Sequence, residues 1–305
     1  MNVNFIGIGI PKSGTSWLHH NLNQLMEFNL PPVKEMNYFD RNSKYPSSNK
    51  LSKPLLIDRL KSKSYIKDAI RAILICIKNR DWDQLRFYWK WYFSNYSDEW
   101  YLSLFQPYKG YTGEFSPSYA LIDKEDIRQM YKVVPHAKLI LMLRNPVERA
   151  WSNYVNNIRR NKELLERFNE ASAMNFLNSD MLATYSDYSS IIDKFSAVFP
   201  KEQILICFYD AIKEKPFQLF ETVVNFITDN KPVATTIADI KKVVNKSPSL
   251  ECPKHIEQFL KDKYYHQIKK LSDDYGGYFS KWLSDLYEED NQIKESEFVP
   301  TLILK

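Results

Sequence analysis

The chain has 305 residues with 44% hydrophobic content, enough to bury a large core, and we expect one domain over residues 1–305. A net charge of +5, without a long basic block, favours small anionic ligands and argues against a nucleic-acid binder. The three cysteines are widely spaced and odd in number, which is typical of a reducing compartment. Without a leader-like segment or a bilayer-length apolar run, the sequence predicts a cytoplasmic protein with no membrane span.

An apolar run at residues 3–10 (VNFIGIGI) predicts a buried strand, and the sequence PKSGTSW follows it before a predicted helix. Gly9 and Gly14 are separated like the two glycines of a Walker A loop, but Thr15 stands where that loop has its lysine. The lysine of this chain is Lys12, inside the loop. Because backbone N–H groups at a helix N-terminus bind anions, we expect an anion site here. The alternative is an ordinary strand-to-helix turn with a solvated lysine.

Residues 41–110 differ from the rest in composition, and the stretch at 81–101 (DWDQLRFYWKWYFSNYSDEWY) is dense in aromatic residues. We predict a mostly helical insertion that covers the carboxyl edge of a sheet. Two interpretations of the aromatic residues stay open. They form the core side of an amphipathic helix, or some of them line an acceptor pocket.

Two further apolar runs, at 138–144 and 203–209, predict buried strands. Helices are predicted after the three runs, at 15–27, 146–160 and 216–228. This alternation predicts an α/β fold with a central parallel sheet flanked by helices, in which ligands bind at the carboxyl ends of the strands. Within the second helix and at its end, Arg149 and Arg159 are expected to be surface charges.

A family resemblance rests on three segments: PKSGTSW at 11–17, LILMLRNPVERAWSNY at 139–154 and ICFYDAIKEKP at 206–216. The first is similar to the 5′-phosphosulfate loop of sulfotransferases that use 3′-phosphoadenosine 5′-phosphosulfate (PAPS), and the second resembles their 3′-phosphate motif. The third resembles their strand-to-helix segment with a Tyr-acidic pair. The resemblance implies a P-loop-like sulfotransferase fold, with PAPS as the co-substrate.

The loop residues have the chemistry that such a donor needs. Sulfuryl transfer requires a cation where charge grows on the leaving phosphate, and Lys12 suits that role. Ser13, Gly14, Thr15 and Ser16 offer backbone and hydroxyl donors to the same phosphate. The resemblance implies the same assignments.

Other parts of the nucleotide are assigned by resemblance. Trp17 is expected to stack on the adenine, with packing of the first helix as the alternative. Arg144 and Ser152 match the 3′-phosphate motif, although a guanidinium in this position also suits a structural ion pair. Tyr209 is expected either to touch the nucleotide or to pack in the core. Two more nucleotide-binding residues are expected in a closing loop, VNKSPSLE: Lys246 and Ser247.

The segment PPVKEMNYFD at 31–40 resembles the part of glycosaminoglycan-type sulfotransferases in which a glutamate before an aromatic pair acts as the base. The pattern maps onto Glu35, with Tyr38 and Phe39 as the pair, and we expect aromatic walls around the carboxylate. Lys34 is a second candidate, for stabilising the transferring sulfuryl group. The alternative for Glu35 is a solvated loop acid.

One segment departs from the family pattern. In GEFSPSYA, at 113–120, Phe115 occupies the place where related enzymes carry a lysine after Gly-Glu. The resemblance therefore puts a highly anionic, heparan-like acceptor in doubt. Ser116 and Ser118 are expected to offer polar contacts to an acceptor.

The leading hypothesis is a PAPS-dependent sulfotransferase that acts on a hydroxyl or amine of a carbohydrate or small natural product. It works by in-line transfer with Glu35 as base, and lysine and arginine take the place of a metal ion. Two alternatives stay open. A P-loop-type nucleoside or metabolite kinase would need the lysine after Gly14, which is missing. A nucleotide-binding scaffold would bind without catalysis.

Overall fold

A five-stranded sheet organises the chain in the computed structural model, which describes residues 3–47, 51–106, 109–159, 169–235, 237, 239–242, 250–287 and 298–304. The strands are β1 (Phe5–Gly9), β2 (Gly113–Phe115), β3 (Lys138–Leu143), β4 (Ile204–Phe208) and β5 (Thr301–Ile303). Their order across the sheet is β2-β1-β3-β4-β5.

Four of the five strands are parallel. Strand β1 pairs in parallel with β2 and β3, and β3 pairs in parallel with β4, while β5 runs antiparallel to β4. The register sets Phe5 opposite Lys138, and Leu139 opposite Ile204. Parallel strands end at the same edge of a sheet, so the turns after β1, β3 and β4 meet there.

Helices occupy most of the remaining described chain. Those before β3 are α1 (Thr15–Leu22), α2 (Leu56–Arg59), α3 (Lys63–Asn79), α4 (Trp82–Phe93), α5 (Asp98–Ser103) and α6 (Lys124–Val133). Those between β3 and β4 are α7 (Pro146–Ile158), α8 (Glu170–Leu177), α9 (Asp180–Ser186) and α10 (Tyr188–Ser196). After β4 come α11 (Tyr209–Glu214), α12 (Pro216–Thr228), α13 (Lys254–Tyr275) and α14 (Tyr278–Tyr287). Short 3₁₀ turns cover Pro117–Leu121 and Lys201–Gln203.

The predicted α/β fold is confirmed. Its three predicted strands correspond to β1, β3 and β4, whose side chains are almost all buried, as expected for strands covered on both faces. Strand β2 was not predicted. It is only three residues long, and it fits beside β1 because a Cβ at Gly113 would lie 2.3 Å from the carbonyl oxygen of Phe5. Helix α1 ends at Leu22, before the predicted end at residue 27, because the chain turns there and the N–H of Gln24 donates to the carbonyl of Asn21 at 3.1 Å.

Helices α2 to α5 lie within the aromatic-rich segment at 41–110. Most rings of that segment pack together; Tyr101, for example, stacks on Tyr38 with ring centres 4.7 Å apart. Trp82 and Trp89 are nevertheless each 59% exposed. Ring packing in this part of the chain therefore agrees with the core interpretation. Among the described residues, no helix combines the length and the apolar character that crossing a membrane requires.

Candidate active site

The loop after β1 has a backbone that turns sharply into α1. Lys12 and Gly14 have φ angles of 72° and 92°, in the left-handed region that favours glycine. A Cβ at Gly14 would lie 2.3 Å from Cδ1 of Ile212, so a larger residue has no room. Gly14 is also the N-cap of α1 and offers no side-chain cap. The first N–H groups of the helix are therefore left to other partners, which is the arrangement that binds anions.

Ser13 carries the most direct sign that this loop holds a ligand. Its side chain is fully buried, and its hydroxyl has no hydrogen-bond partner among the described residues. A buried polar group without a partner costs roughly 1–3 kcal/mol, so such a group is normally satisfied by a ligand or water. A phosphate or sulfate oxygen offers the acceptor that this hydroxyl lacks among the described residues.

Cations converge beside the loop. The pKa of Lys12 falls from 10.5 to about 8, first because of burial and then because of the positive charges of Arg159 and Arg144. Nη1 of Arg144 lies 3.5 Å from the carbonyl oxygen of Lys12. A bound anion would favour the protonated lysine in this surrounding.

Arg144 follows β3 directly and is held by three neighbours. Its Nε and Nη2 donate to Oε2 of Glu148 at 3.0 and 2.8 Å, so the ion pair considered for it is present. Its guanidinium lies 4.3 Å from the centre of the Tyr209 ring, a cation–π distance. The hydroxyl of Tyr188 donates to the carbonyl of Arg144 at 2.6 Å. Lys213, with Nζ 4.0 Å from the same oxygen of Glu148, offers that carboxylate a second cation.

Tyr209 joins Arg144 to the loop. It begins α11, immediately after β4, and its Cδ2 would lie 3.2 Å from a Cβ on Gly14. Residues at the ends of β1, β3 and β4 are thus in contact at one edge of the sheet. Ser152 lies half-buried on α7, one turn beyond Glu148.

Trp17, predicted to stack on adenine, is only 4% exposed. Its Nε1 donates to the carbonyl of Ile240 at 2.7 Å, and its ring meets Phe220 edge-on with centres 6.3 Å apart. These contacts are those of the packing alternative, and the stacking role stays a prediction. Two predicted residues lie outside the described residues: Lys246 and Ser247.

Lys34 lies beside the loop. Its Nζ donates to Oγ of Ser16 at 3.1 Å and to Oγ1 of Thr15 at 3.3 Å. The pKa of Lys34 is lowered, mainly by burial, and the neighbouring Glu35 opposes this shift. The ammonium is therefore one more cation at the N-terminus of α1.

Glu35 differs from the prediction in its surroundings. Its carboxylate pairs with Lys34 at 3.3 Å, and its side chain is 52% exposed, so aromatic walls do not enclose it. The aromatic pair packs elsewhere: Tyr38 stacks on Tyr101, and its hydroxyl donates to Asp98 at 2.6 Å. Phe39 is buried against Tyr101 as well. The pair anchors the segment, and the carboxylate stays accessible to an acceptor.

Glu114 is a buried carboxylate that the sequence analysis missed. Oε1 accepts hydrogen bonds from the hydroxyls of Tyr101 and Tyr119, both at 2.8 Å. Oε2 accepts from the hydroxyl of Ser116 at 2.6 Å and from the N–H of Met36 at 3.2 Å. Burial raises the pKa of Glu114 to about 7 against these hydrogen bonds. The hydrogen bond from the N–H of Met36 to Glu114 fixes the backbone next to Glu35.

The two serines expected to meet an acceptor form hydrogen bonds within the chain, and their role toward an acceptor stays a prediction. Ser116 accepts from the N–H of Asn37 at 3.0 Å, and Ser118 accepts from Nδ2 of Asn37 at 2.6 Å. Asn37 needs this support because its φ is 54°. Its amide also donates to the buried carboxylate of Asp40 at 3.1 Å. Both serines therefore shape the segment that carries Glu35.

Phe115, at the position of the missing lysine, is a core residue. It is fully buried, and a Cβ on Gly7 would lie 2.0 Å from its Cδ1. Its ring also meets the ring of His19 at 5.9 Å. Burial lowers the pKa of His19 to about 4, so that imidazole is neutral near pH 7.

The prediction that Arg149 is a surface charge is wrong. Its side chain is fully buried on the inner face of α7, and Nη2 donates to the hydroxyl of Ser186 at 2.6 Å. The prediction failed because one turn of α7 packs against α9, a contact that no local pattern indicates. Arg159 is exposed, as predicted.

The fold is that of an α/β protein with a mostly parallel sheet, and the loop after β1 leads into a helix N-terminus at the carboxyl edge of that sheet. Proteins of this class commonly bind phosphate groups at such a loop. The family model described as sulfotransferase family matches residues 5–228, and the chain belongs to that family.

A solved structure supports the fold. The sulfotransferase from Alicyclobacillus acidocaldarius is similar at a TM-score of 0.60 and 21% identity, covering 92% of this chain and 99% of that one. The sulfotransferase STF9 from Mycobacterium avium has a TM-score of 0.40 at 16% identity, covering 97% of this chain and 78% of that one. The curated proteins include no match to the chain.

Proposed function

We propose that the protein transfers a sulfuryl group from PAPS to a hydroxyl or amine of a carbohydrate or small natural product. The observation that carries the proposal is the meeting of the loop after β1 with Arg144 and Tyr209. Arg144 approaches the carbonyl of Lys12, and Tyr209 approaches Gly14. Between these two loop residues lies Ser13, whose buried hydroxyl has no partner among the described residues. Membership in the sulfotransferase family supports the same reaction class.

On the donor side, the N-terminus of α1 and the hydroxyl of Ser13 would hold the 5′-phosphate end. Lys12 lies within this loop, where a cation neutralises charge that grows on the leaving phosphate. Arg144 would hold the 3′-phosphate through the guanidinium edge that now contacts Glu148. The donor supplies the activated sulfuryl group, and these residues bind and orient it.

On the acceptor side, Glu35 would take the proton from the attacking hydroxyl or amine. The acceptor atom forms a bond to sulfur while the bond from sulfur to the phosphate oxygen breaks, and the nucleotide bisphosphate leaves. Lys34 bridges Glu35 and Ser16, so it has the position to stabilise the sulfuryl oxygens between acceptor and donor. No metal ion is assigned a role, because lysine and arginine carry the positive charge.

The test is transfer itself. The purified protein is incubated with PAPS, EDTA and a panel of neutral and anionic sugars and small phenols or amines, and products are read by mass spectrometry. We expect one sulfated product with an equal amount of 3′-phosphoadenosine 5′-phosphate (PAP), and none from Lys12→Ala. Lys254→Ala, an exposed lysine on α13, is the matched control. A parallel incubation with ATP and magnesium that gives a phosphorylated product, while PAPS gives no sulfated one, would contradict the proposal.

A further inference from the structure

Helix α3 presents an apolar stripe to solvent. Ile66, Ile70, Leu74 and Ile77 are 37%, 52%, 59% and 47% exposed. Their spacing of four, four and three residues puts them on one side of a helix. Isolated exposed apolar residues are common, but four on one helix face form a patch, and such patches mark interaction sites.

A row of cations runs beside this stripe. Three of its members follow stripe residues directly in the chain, and the fourth opens the helix: Lys67, Arg71, Lys78 and Lys63. Each successive residue advances about 100° around a helix, so Lys67, Arg71 and Lys78 occupy one flank of the stripe, and Lys63 lies in line with it at the start of the helix. Asp68 is the one acidic residue within α3.

A different face of α3, about 100° around the helix from the stripe, packs against the protein. Ala69 and Cys76 are buried there, and α3 packs on α4. More apolar surface lies nearby in the chain, at Ile57 before the helix and Trp82 after it, which are 68% and 59% exposed. Tryptophan is the residue that favours the boundary between headgroups and acyl chains.

We infer that the outer face of α3 docks the protein on the surface of a bilayer that contains anionic lipid. The apolar stripe would enter the boundary between headgroups and acyl chains, and the flanking lysines and arginine would meet lipid phosphates. Long cationic side chains suit this role because their stems cover apolar surface while the charge stays in water. The helix would lie in the interface and not cross it. The inference does not depend on the sulfuryl donor.

Charge favours this occupant over a second copy of the chain. Two α3 helices packed stripe to stripe and antiparallel about a twofold axis would bring their flanking cations to the same side of the contact, and each α3 carries four cations with a single acid. Like charges at such a contact are destabilising. A layer of lipid phosphates has the opposite sign.

Vesicle sedimentation of the intact protein tests the inference. We expect binding to phosphatidylcholine vesicles with 30% phosphatidylglycerol, weak binding to pure phosphatidylcholine, and release at high salt. Lys67→Glu/Arg71→Glu should lower binding by roughly 25-fold or more, since each cation near an anionic surface contributes about fivefold. Ile70→Ser/Leu74→Ser should lower it about tenfold or more. Phe217→Ser, which removes a side chain 60% exposed on α12, should bind like the wild type.

All substituted positions are exposed, so the variants should fold, which circular dichroism and thermal unfolding check. Three results would overturn the inference. The first is absence of binding to anionic vesicles, and the second is equal binding to neutral ones. The third is a wild-type dimer in sedimentation velocity that Ile70→Ser/Leu74→Ser converts to a monomer, since that assigns the face to a second copy.

Discussion

Lys34 donates a hydrogen bond to the hydroxyl of Ser16, with Nζ and Oγ 3.1 Å apart. The same ammonium lies 3.3 Å from the carboxylate of Glu35. One side chain therefore joins the N-terminus of α1, where the donor is proposed to bind, to the residue proposed to act on the acceptor. The distance between donor loop and base depends on this contact.

Glu35→Gln should reduce turnover by roughly 10²- to 10⁴-fold, because a carboxamide does not accept the acceptor's proton. The affinity for PAP should change little, since Glu35 lies on the acceptor side of Lys34. Steady-state transfer and calorimetric titration of PAP measure the two effects separately. Glu125→Gln, at an exposed position of α6, is the control. A variant that keeps its turnover would remove Glu35 from the base role.

The affinity for PAP should weaken as the pH rises above about 8. Because the pKa of Lys12 in the free protein is about 8, the lysine is charged below that pH and neutral above it. Anionic phosphate favours the charged form, so Kd should rise roughly tenfold per pH unit until the pKa of the bound state is reached. Titrations between pH 7 and 9.5, in buffers of different ionisation enthalpy, should also detect proton uptake on binding.

Lys12→Arg separates this explanation from a general effect of pH. A guanidinium stays protonated throughout the range, so Kd of the variant should be nearly constant between pH 7 and 9.5. A wild-type Kd that is equally constant would contradict the role of Lys12 at the phosphate.

Glu148→Gln should strengthen PAP binding about two- to fivefold. The Glu148 carboxylate occupies the edge of Arg144 that a 3′-phosphate needs, and it also repels an anion. The expected change in affinity is small because this ion pair is partly exposed to solvent. Glu221→Gln makes the same change at an exposed position of α12 and should have no effect. Weaker binding in Glu148→Gln would mean that Glu148 positions Arg144 for the ligand.

Glu114→Gln should lower the free energy of unfolding by about 1–3 kcal/mol, because the amide nitrogen leaves the N–H of Met36 without an acceptor. The pKa of Glu114 is raised in the folded protein to about 7 from an ordinary value of 4.5. Its protonation therefore stabilises the fold fully below about pH 4.5, and this contribution disappears as the pH rises through 7.

Between pH 5 and 8, the free energy of unfolding of the wild type should fall by roughly 3 kcal/mol because of Glu114. Urea unfolding at several pH values measures this fall. The free energy of unfolding of the variant should lack this dependence on pH, because glutamine does not titrate. An equal pH dependence of the free energy of unfolding in the two proteins would mean that a group other than Glu114 causes it.

The sequence predicted the parts of the fold that local patterns encode. Strands β1, β3 and β4 are continuous apolar runs, and the start of α7 follows from Asn145, whose side chain accepts from the N–H of Val147 at 3.0 Å. The glycine spacing indicated the loop. Strand β2 is too short to show a period.

Two buried groups could not be predicted from local patterns. The partners of Glu114 come from positions 36, 101, 116 and 119, which meet only after folding. Arg149 is typical of a surface residue by its charge, and its burial is explained by contacts with α9, where Nη2 donates to the hydroxyl of Ser186 and to the carbonyl of Leu182. Hydrogen bonds between distant parts of the chain carry no periodic signal in the sequence.

Calorimetric titration with PAP in the absence of magnesium, beside ATP with magnesium, tests the central claim that the loop after β1 holds a nucleotide bisphosphate. We predict that PAP binds, that the binding is lost in Arg144→Ala, and that ATP binds more weakly. Binding of ATP with magnesium but not of PAP would contradict the account, because it would mean that the loop binds nucleoside triphosphates.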